Sequence, residues 1–286
     1  MRYPDLSIRT VAVTGCSTGI GRATARALKA AGWRVLATAR KPDDLAALTA
    51  EGFEAFALDT ADPASVTTTA TALLAAAGGI VPALVNNAGF GQVGAVEDLT
   101  REALRYQLEV NVIGMQDLTN RLIPGMREAG AGRIVNVSSV LGRITLPFMG
   151  AYCASKYAME SLSDALRVEL RPAGIAVSLI EPGPITTEFR RTAARNAAGT
   201  LDPATTRHGA TYQAELARRE ARAGRPDPLS LPPEAVAKKI LHALTARRPH
   251  TRYKVTVPAY GGALLRRLAP DALLDRLMAR AAFPPA

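Results

Sequence analysis

Thr14-Gly15-Cys16-Ser17-Thr18-Gly19-Ile20-Gly21 directly follows an apolar run at 10–14 and opens a stretch of helical periodicity at 21–31. Glycines at such a strand-to-helix turn have physical reasons: the chain reverses tightly, its backbone approaches an anion closely, and the helix packs near the strand. The helix presents free N–H groups and the positive end of its dipole, which suit a pyrophosphate. A glycine-rich turn alone is a weak signal; its place between the first strand and the first helix strengthens it. Outward from this turn, short runs rich in Val and Ile and bounded by Gly, Asn and Pro predict strands at 35–39, 54–58, 83–86, 132–137, 176–180 and 253–256. Helical patterns lie between them at 67–77, 101–126 and 152–170. Strand and helix alternating from the start predict an α/β fold, a doubly wound, seven-stranded, mainly parallel sheet with helices on both faces.

No break in composition precedes Pro182, so one domain over 1–286 is the expectation. After Glu181 the character changes. The stretch 188–231 is rich in Ala and Arg, contains Gly199, Gly209 and Gly224, and runs into the prolines of 225–233. It predicts a long insertion with a short helix near 211–223. In a doubly wound sheet an excursion at the carboxyl end of a strand lies over the ligand crevice. Beyond the last strand, an extension at about 262–286 alternates apolar residues with arginines over 264–278, as in an amphipathic helix at a surface or against a partner.

The net charge of +10 is unevenly placed. Residues 1–187 carry 17 Lys and Arg against 17 Asp and Glu, whereas 188–286 carry 18 against 8. The basic third is read as a solvated Arg-rich face, with an anionic membrane surface or an acidic substrate as the other readings. No zinc finger and no basic/aromatic interleaving supports nucleic acid. The two cysteines, Cys16 and Cys153, lack metal-ligand spacing and are too few for a secreted disulfide framework. With three histidines spread through the last third, no metal site is expected. No apolar run is long enough to span a bilayer, and the first residues carry charge where a signal peptide needs an apolar core. The expected location is cytoplasmic.

The end of the second strand discriminates between nicotinamide cofactors. An acid there accepts a ribose 2′-hydroxyl, whereas a 2′-phosphate needs that acid absent and a cation nearby. Here the stretch reads Ala37-Thr38-Ala39-Arg40-Lys41, with Ala39 at the acid's place and Arg40 next. This predicts NADP(H). Asp59, after the third strand, is placed to bond an adenine, and Asn86-Asn87-Ala88-Gly89 brings backbone toward the adenosine ribose.

Tyr152 and Lys156 are four apart on a predicted helix, so both project from one face. An adjacent ammonium favours the phenolate and makes a tyrosine a usable acid/base near neutrality. Such a pair alone is common on solvated helices. Ser139 changes the balance: it lies 13 residues before Tyr152, just after an apolar strand, where a hydroxyl can hold a substrate oxygen while Tyr152 exchanges the proton. Ser138 is the alternative. Asn111 interrupts an apolar stretch in mid-helix, where an amide is unwelcome, and is expected to perturb the helix and hold a water that links Lys156 to solvent.

Taken jointly, TGCSTGIG at 14–21, NNAG at 86–89, Asn111, the set Ser139, Tyr152 and Lys156, and Pro182-Gly183 resemble the short-chain dehydrogenase/reductase family, in its single-domain Ser-Tyr-Lys branch, over about residues 8–260. The resemblance implies a Rossmann-type fold and a catalytic tetrad of Asn111, Ser139, Tyr152 and Lys156. It implies cofactor contacts from Gly15, Ser17, Thr18, Gly19 and Ile20, from Asn87, Ala88 and Gly89, and from Tyr152 and Lys156. Pro182, Gly183 and the Ile185 backbone would follow, with Thr187 at the nicotinamide amide. Arg40 is similar to its counterpart in NADP-preferring members. A homodimer or homotetramer through the helices at 101–126 and 152–170 is also implied.

The function expected is NADP(H)-dependent interconversion of a carbonyl and an alcohol, with reduction favoured because cellular NADPH is kept reduced. The segments TGCSTGIG, VLATAR and YCASKYAMESL are similar to those of members acting on hydroxysteroids or retinoids, which points to an apolar small-molecule substrate. Fold-level likeness does not fix the substrate. Leu146, Phe148, Met149 and Phe189 are the expected lining, under a lid formed by 188–231. Three alternatives stand beside this reading: a 3-oxoacyl-type reductase on an anionic acyl substrate, a dehydratase or epimerase with tightly bound cofactor, and a cofactor-binding regulatory protein at a membrane surface.

Overall fold

The computed structural model describes residues 2–189, 191–193, 196, 204–214 and 228–282. Seven strands form one sheet in the order β3-β2-β1-β4-β5-β6-β7, every neighbouring pair parallel. They are β1 (Thr10–Val13), β2 (Arg34–Ala39), β3 (Glu54–Ala57), β4 (Ala83–Asn86), β5 (Gly132–Val137), β6 (Ile175–Glu181) and β7 (Arg252–Lys254). The helices before the last strand are α1 (Gly19–Ala30), α2 (Pro42–Ala50), α3 (Pro63–Ala76), α4 (Arg101–Leu108), α5 (Gly114–Glu128), α6 (Gly150–Glu169) and α7 (Pro233–Thr245). The expected sheet is therefore present, and wholly parallel.

Alternation along each strand builds the two sides of the core. Val11, Val13, Val35, Val85, Val135 and Ile180 pack with Leu28 of α1 and Ile240 of α7 on one face. Ala12, Leu36, Leu84, Ile134 and Val177 pack with Leu73 of α3 and Leu122 of α5 on the other. Each fully buried Leu or Ile contributes about 1.5–3 kcal/mol, which explains why runs rich in Val and Ile form the central strands. Strand order reverses between β1 and β4, and this is where the carboxyl ends of a doubly wound sheet open a crevice.

Two departures from the sequence expectations have local causes. The helix expected over 101–126 is broken into α4 and α5 by a turn of π-helix at Glu109–Ile113, with Asn111 at its centre. The expected helix at 264–278 is two helices, α8 (Val257–Leu268) and α9 (Asp271–Ala282), divided at Pro270, which cannot continue a helical ladder. The chain is helical over 209–214, where the short insertion helix was expected; the remainder of that helix, and most of 188–231, lie outside the described residues. Among the described residues no helix is long and apolar enough to cross a membrane.

Candidate active site

The glycine turn is held open by its neighbours. Gly15 and Gly19 have φ of +70° and +55°, which residues with a β-carbon rarely adopt. A β-carbon on Gly21 would strike the Gly15 carbonyl and Asn87 Nδ2. The Cys16 amide donates to the Thr38 carbonyl at 2.7 Å, tying the turn to the end of β2. Thr18 caps α1 without a side-chain hydrogen bond, and no acid occupies the first turn. The first N–H groups of α1 therefore have no side-chain acceptor here, and an anion at this end would be favoured by the helix dipole. A dinucleotide's pyrophosphate fits this cradle.

Asn87 fastens the opposite wall. Its Nδ2 donates to the Thr14 and Gly15 carbonyls at 2.9 and 3.1 Å. The Thr14 hydroxyl accepts from the amides of both Asn87 and Ala88 at 2.9 Å. Thr14 was not among the expected site residues, although it is the first residue of the glycine motif. Asn86 faces inward instead, donating to Thr119 Oγ1 and Asn136 Oδ1, while Asn136 donates to Ser163 Oγ. This buried amide ladder crosses from β4 through β5 to α6 and likewise escaped the sequence reading.

At the end of β2 Ala39 is buried and Arg40 exposed. Arg40 donates to the Tyr106 hydroxyl at 3.1 Å and lies 3.8 Å from the Asp59 carboxylate. Asp59 accepts from the Ala61 amide at 3.0 Å, an Asx turn that starts the connection to α3. The structure thus places Asp59 beside Arg40, at the rim expected to take the adenosine end.

Ser139, at the end of β5, opens a short turn, Val140–Gly142, and accepts from the Leu141 amide at 3.1 Å. Tyr152, in the first turn of α6, is buried. Burial raises its phenol above the ordinary value, and a hydrogen bond with Ser139 works in the opposite direction. Lys156, one turn later, lies with Nζ 5.8 Å from the centroid of the Tyr152 ring and donates to the Val137 carbonyl at 2.8 Å. Burial lowers the Lys156 ammonium to about 8. Of the two candidate serines, Ser139 is the one on Tyr152, and Ser138 is turned toward Glu160.

Asn111 is fully buried in the π-turn. Its Oδ1 accepts from the Phe90 amide at 3.0 Å, and its Nδ2 donates to the Phe90 carbonyl at 2.9 Å and Ser155 Oγ at 3.0 Å. The side chain is thus a clamp between the segment after β4 and α6. Both amide hydrogens are used, so a water at this place would be held by the free backbone of the π-turn or the second lone pair of Oδ1.

Pro182 and Gly183 follow β6, with the Pro182 carbonyl accepting from Val140 at 2.8 Å. A β-carbon on Gly183 would strike Thr256 Oγ1. Ile185 pairs with Leu231, which returns the far end of the insertion to the site. A β-carbon on Gly19 would lie 3.1 Å from Thr187 Cγ2, so the segment after β6 closes onto the glycine turn. A cavity of about 290 Å³ opens there, lined by Gly19, Arg22, Thr186, Thr187 and Glu188 among others.

Of the expected apolar lining, Phe189 and Met149 converge on the site. The Phe189 ring stacks at a tilt on Tyr152 with centroids 5.4 Å apart, and a β-carbon on Gly91 would lie 2.9 Å from Phe189 Cζ and 3.5 Å from Met149 Cε. Leu146 lies in the same loop, its carbonyl accepting from the Met149 amide. Phe148 is turned elsewhere. It has a φ of +63° and packs edge-on against His208 and Tyr212. Those two residues anchor the insertion: the Tyr212 hydroxyl donates to Asp98 at 2.6 Å, and His208 lies 2.6 Å from Glu97.

Residues 9–198 match the family described as short chain dehydrogenase. The uncharacterized oxidoreductase YbbO of Escherichia coli K12 is 40% identical over 270 residues, covering 94% of each chain. An NADPH-dependent 3-dehydrocapnine reductase of Ornithobacterium rhinotracheale is 34% identical over 94% of this chain and 96% of its own. Human retinol dehydrogenase 5 is 35% identical over 94% of this chain and 87% of its own. Among solved structures, a short-chain dehydrogenase from Streptomyces avermitilis superposes with a TM-score of 0.76 at 32% identity, covering 98% of this chain and 100% of its own. One from Burkholderia phymatum in complex with NAD gives 0.75 at 28%, covering 96% and 97%. One from Burkholderia cenocepacia with NADP gives 0.73 at 25%, covering 96% and 99%. Fold, motif order and relatives along nearly the whole chain agree, and the chain belongs to the short-chain dehydrogenase family of oxidoreductases.

Proposed function

We propose that this oxidoreductase is an NADPH-dependent carbonyl reductase for an apolar ketone or aldehyde. The observation that carries the reading is the buried Tyr152 phenol, set beside Ser139 and flanked by the Lys156 ammonium, at the carboxyl ends of β4, β5 and β6. When bound, the reduced nicotinamide supplies the hydride. Ser139 and Tyr152 hold the carbonyl oxygen and Tyr152 gives it a proton, so the carbon gains hydride and the oxygen gains hydrogen. Lys156 carries the charge that makes Tyr152 a usable acid and passes a proton back toward it, through water held at the Asn111 turn. Pro182, Gly183, Ile185 and Thr187 would hold the nicotinamide end, and the Gly15–Ile20 segment with Asn87–Gly89 the pyrophosphate and adenosine end.

NADP(H) over NAD(H) is supported by Arg40 and by the lack of an acid at Ala39. The named NADPH dependence of the 3-dehydrocapnine reductase points the same way, although relatives are found in complex with either cofactor. An apolar substrate is supported by the facing surfaces of Phe189, Met149 and Gly91 and by the likeness to a retinol dehydrogenase. The test is NADPH consumption over a panel of bulky apolar ketones and aldehydes set against anionic acyl carbonyls. Turnover confined to the anionic set would replace this reading with the acyl-reductase one.

Two partner proposals accompany it. Tyr106, Leu108, Ile113, Leu162 and Val168 expose apolar side chains on the α4–α6 helices, which supports a homodimer through that face. On α8, Val257, Tyr260, Leu264 and Leu268 are 76, 56, 58 and 71% exposed, while Ala259 and Gly262 are buried. At that spacing the exposed four share one side of the helix, with Lys254 5.7 Å from the Tyr260 ring centroid and Arg267 exposed at the flank. An apolar stripe edged by cations suits an anionic lipid surface.

A further inference from the structure

One turn beyond Lys156 on α6 lies a cluster of charge that the proposed reaction does not use. Glu160 is buried, as is Glu181, the last residue of β6. Arg143 ends the short turn that Ser139 opens, and its Nε lies 3.1 Å from Glu181 Oε1 and 3.8 Å from Glu160 Oε2. Arg252, in β7, places Nε 3.1 Å from Glu160 Oε2 and 3.2 Å from Glu181 Oε1. This square of alternating charge joins the Ser139 turn, the helix of Tyr152 and Lys156, and the strand that runs into Pro182-Gly183. The packing is close: a β-carbon on Gly142 would lie 2.9 Å from Ser138 Oγ and 3.1 Å from both Glu160 Cγ and the Lys156 carbonyl oxygen.

Buried ion pairs are weak evidence for stability, because desolvation offsets most of the Coulomb attraction. What this one does is better sought in its position. Of its four corners, Glu160 alone is on the same helix as Lys156, and its charge reaches the ammonium. We propose that Glu160 is a positioning residue for the hydride-transfer site: its carboxylate, fixed by Arg143 and Arg252, keeps Lys156 charged beside Tyr152. The inference rests on the reading of Tyr152 as the acid and Lys156 as its activator.

The electrostatics agree with the geometry. Burial takes the Lys156 ammonium down to about 8, and the Glu160 charge opposes that fall. Around Glu160 stand Arg143 from the Ser139 turn, Arg252 from β7, Glu181 from β6 and Ser138 after β5, with Asp164 next along α6 and paired with Arg252. Burial raises the Glu160 carboxyl and Glu181 raises it further, whereas Ser138 and the two guanidinium groups draw it back down.

The test reads the proton on Lys156 directly, from its Cε resonance in carbon-13 lysine-labelled protein titrated without cofactor. Glu160→Gln is expected to lower the midpoint by about one pH unit, Glu160→Asp to restore most of it, and Glu181→Gln to leave it in place. The alkaline limb of kcat/KM for NADPH should move with the midpoint. An unmoved midpoint in Glu160→Gln overturns the proposal. So does an equal displacement in Glu181→Gln, which would mean general loosening of the square. If Glu160→Gln does not fold, Glu160→Gln combined with Arg143→Gln removes one charge of each sign and should lower the midpoint in the same direction by a smaller amount, an unmoved midpoint relative to Arg143→Gln alone overturning the proposal. A midpoint that moves as stated in a protein that reduces no carbonyl would count against the reductase reading and for the role of Glu160.

Discussion

Burial affects Tyr152 and Lys156 in opposite senses: it keeps the phenol protonated and makes the ammonium easier to discharge. The phenol is pushed up and stays a proton donor, while the ammonium comes down to about 8. Lys156 therefore keeps its charge below that region and loses it as pH rises through it. The rate of reduction, followed as kcat/KM for NADPH, is expected to fall on the alkaline side of about pH 8; a profile flat through pH 10 would contradict the assignment of Lys156. Arg40 is held lightly, by Tyr106 and at a distance by Asp59, and is free to turn to a 2′-phosphate. Charge-assisted bonds of this kind are worth roughly 1.5–3 kcal/mol. Arg40→Ala should weaken NADPH binding by tenfold or more, measured by fluorescence titration, and leave NADH binding nearly unchanged. Equal losses would exclude Arg40 as the phosphate reader. At this scale the sequence was most informative where spacing is local: the glycine turn was read from its place between the first strand and helix, and the Tyr-x-x-x-Lys pair from Ser139 after the strand before it. The Glu160, Glu181, Arg143 and Arg252 square was invisible, because its corners come from four separate segments that only the sheet brings together.

Among the elements, the π-turn at Glu109–Ile113 shows how a distant partner overrides a helical pattern. The sequence 101–126 is periodic throughout and reads as one helix, and Asn111 alone signals the break. Its amide reaches Phe90 on one side and Ser155 on the other, so the helix widens by one residue to keep three hydrogen bonds. Asn111→Leu would leave the Phe90 amide without its partner and the Phe90 carbonyl with only Gln107 Nε2, a cost of about 1–3 kcal/mol. A melting temperature lower by several degrees is expected, together with slower turnover; an unchanged melting curve would show that the clamp contributes nothing. Gly21→Ala acts on another element. Its β-carbon would meet the Gly15 carbonyl and the Asn87 amide, so the turn must open and cofactor affinity should fall while the sheet persists. Strand positions were legible because β-branched runs buried on both faces have few other uses. The exposure of α8 was not, because an amphipathic pattern states which side is apolar and leaves open whether anything covers it.

For the whole molecule, the excess of basic residues lies in 188–286, which also carries the exposed apolar stripe of α8. Vesicles containing anionic lipid should co-sediment the protein, neutral vesicles much less so, and Leu264→Glu with Leu268→Glu should abolish the binding while leaving NADPH-dependent activity in solution intact. A change of oligomeric state in that double variant, with no vesicle binding by the wild type, would assign the stripe to a second copy of the chain. The fold and the order of the site were legible because the glycine turn, Asn87–Gly89, Ser139 and Pro182-Gly183 each follow the carboxyl end of a strand, where the sheet's topology gathers them. The substrate was not, because most of 188–231 carries no periodic pattern to place it over the crevice. The claim at the centre is that hydride reaches a carbonyl carbon while Tyr152 protonates the oxygen. Single-turnover reduction of an apolar ketone with NADPH deuterated on its transferable position tests it directly, in the wild type and in Tyr152→Phe. Deuterium is expected on the carbinol carbon in the wild type, and in the variant retained NADPH binding with a rate lower by about 10²–10⁴. Product formed at the wild-type rate by Tyr152→Phe would contradict it.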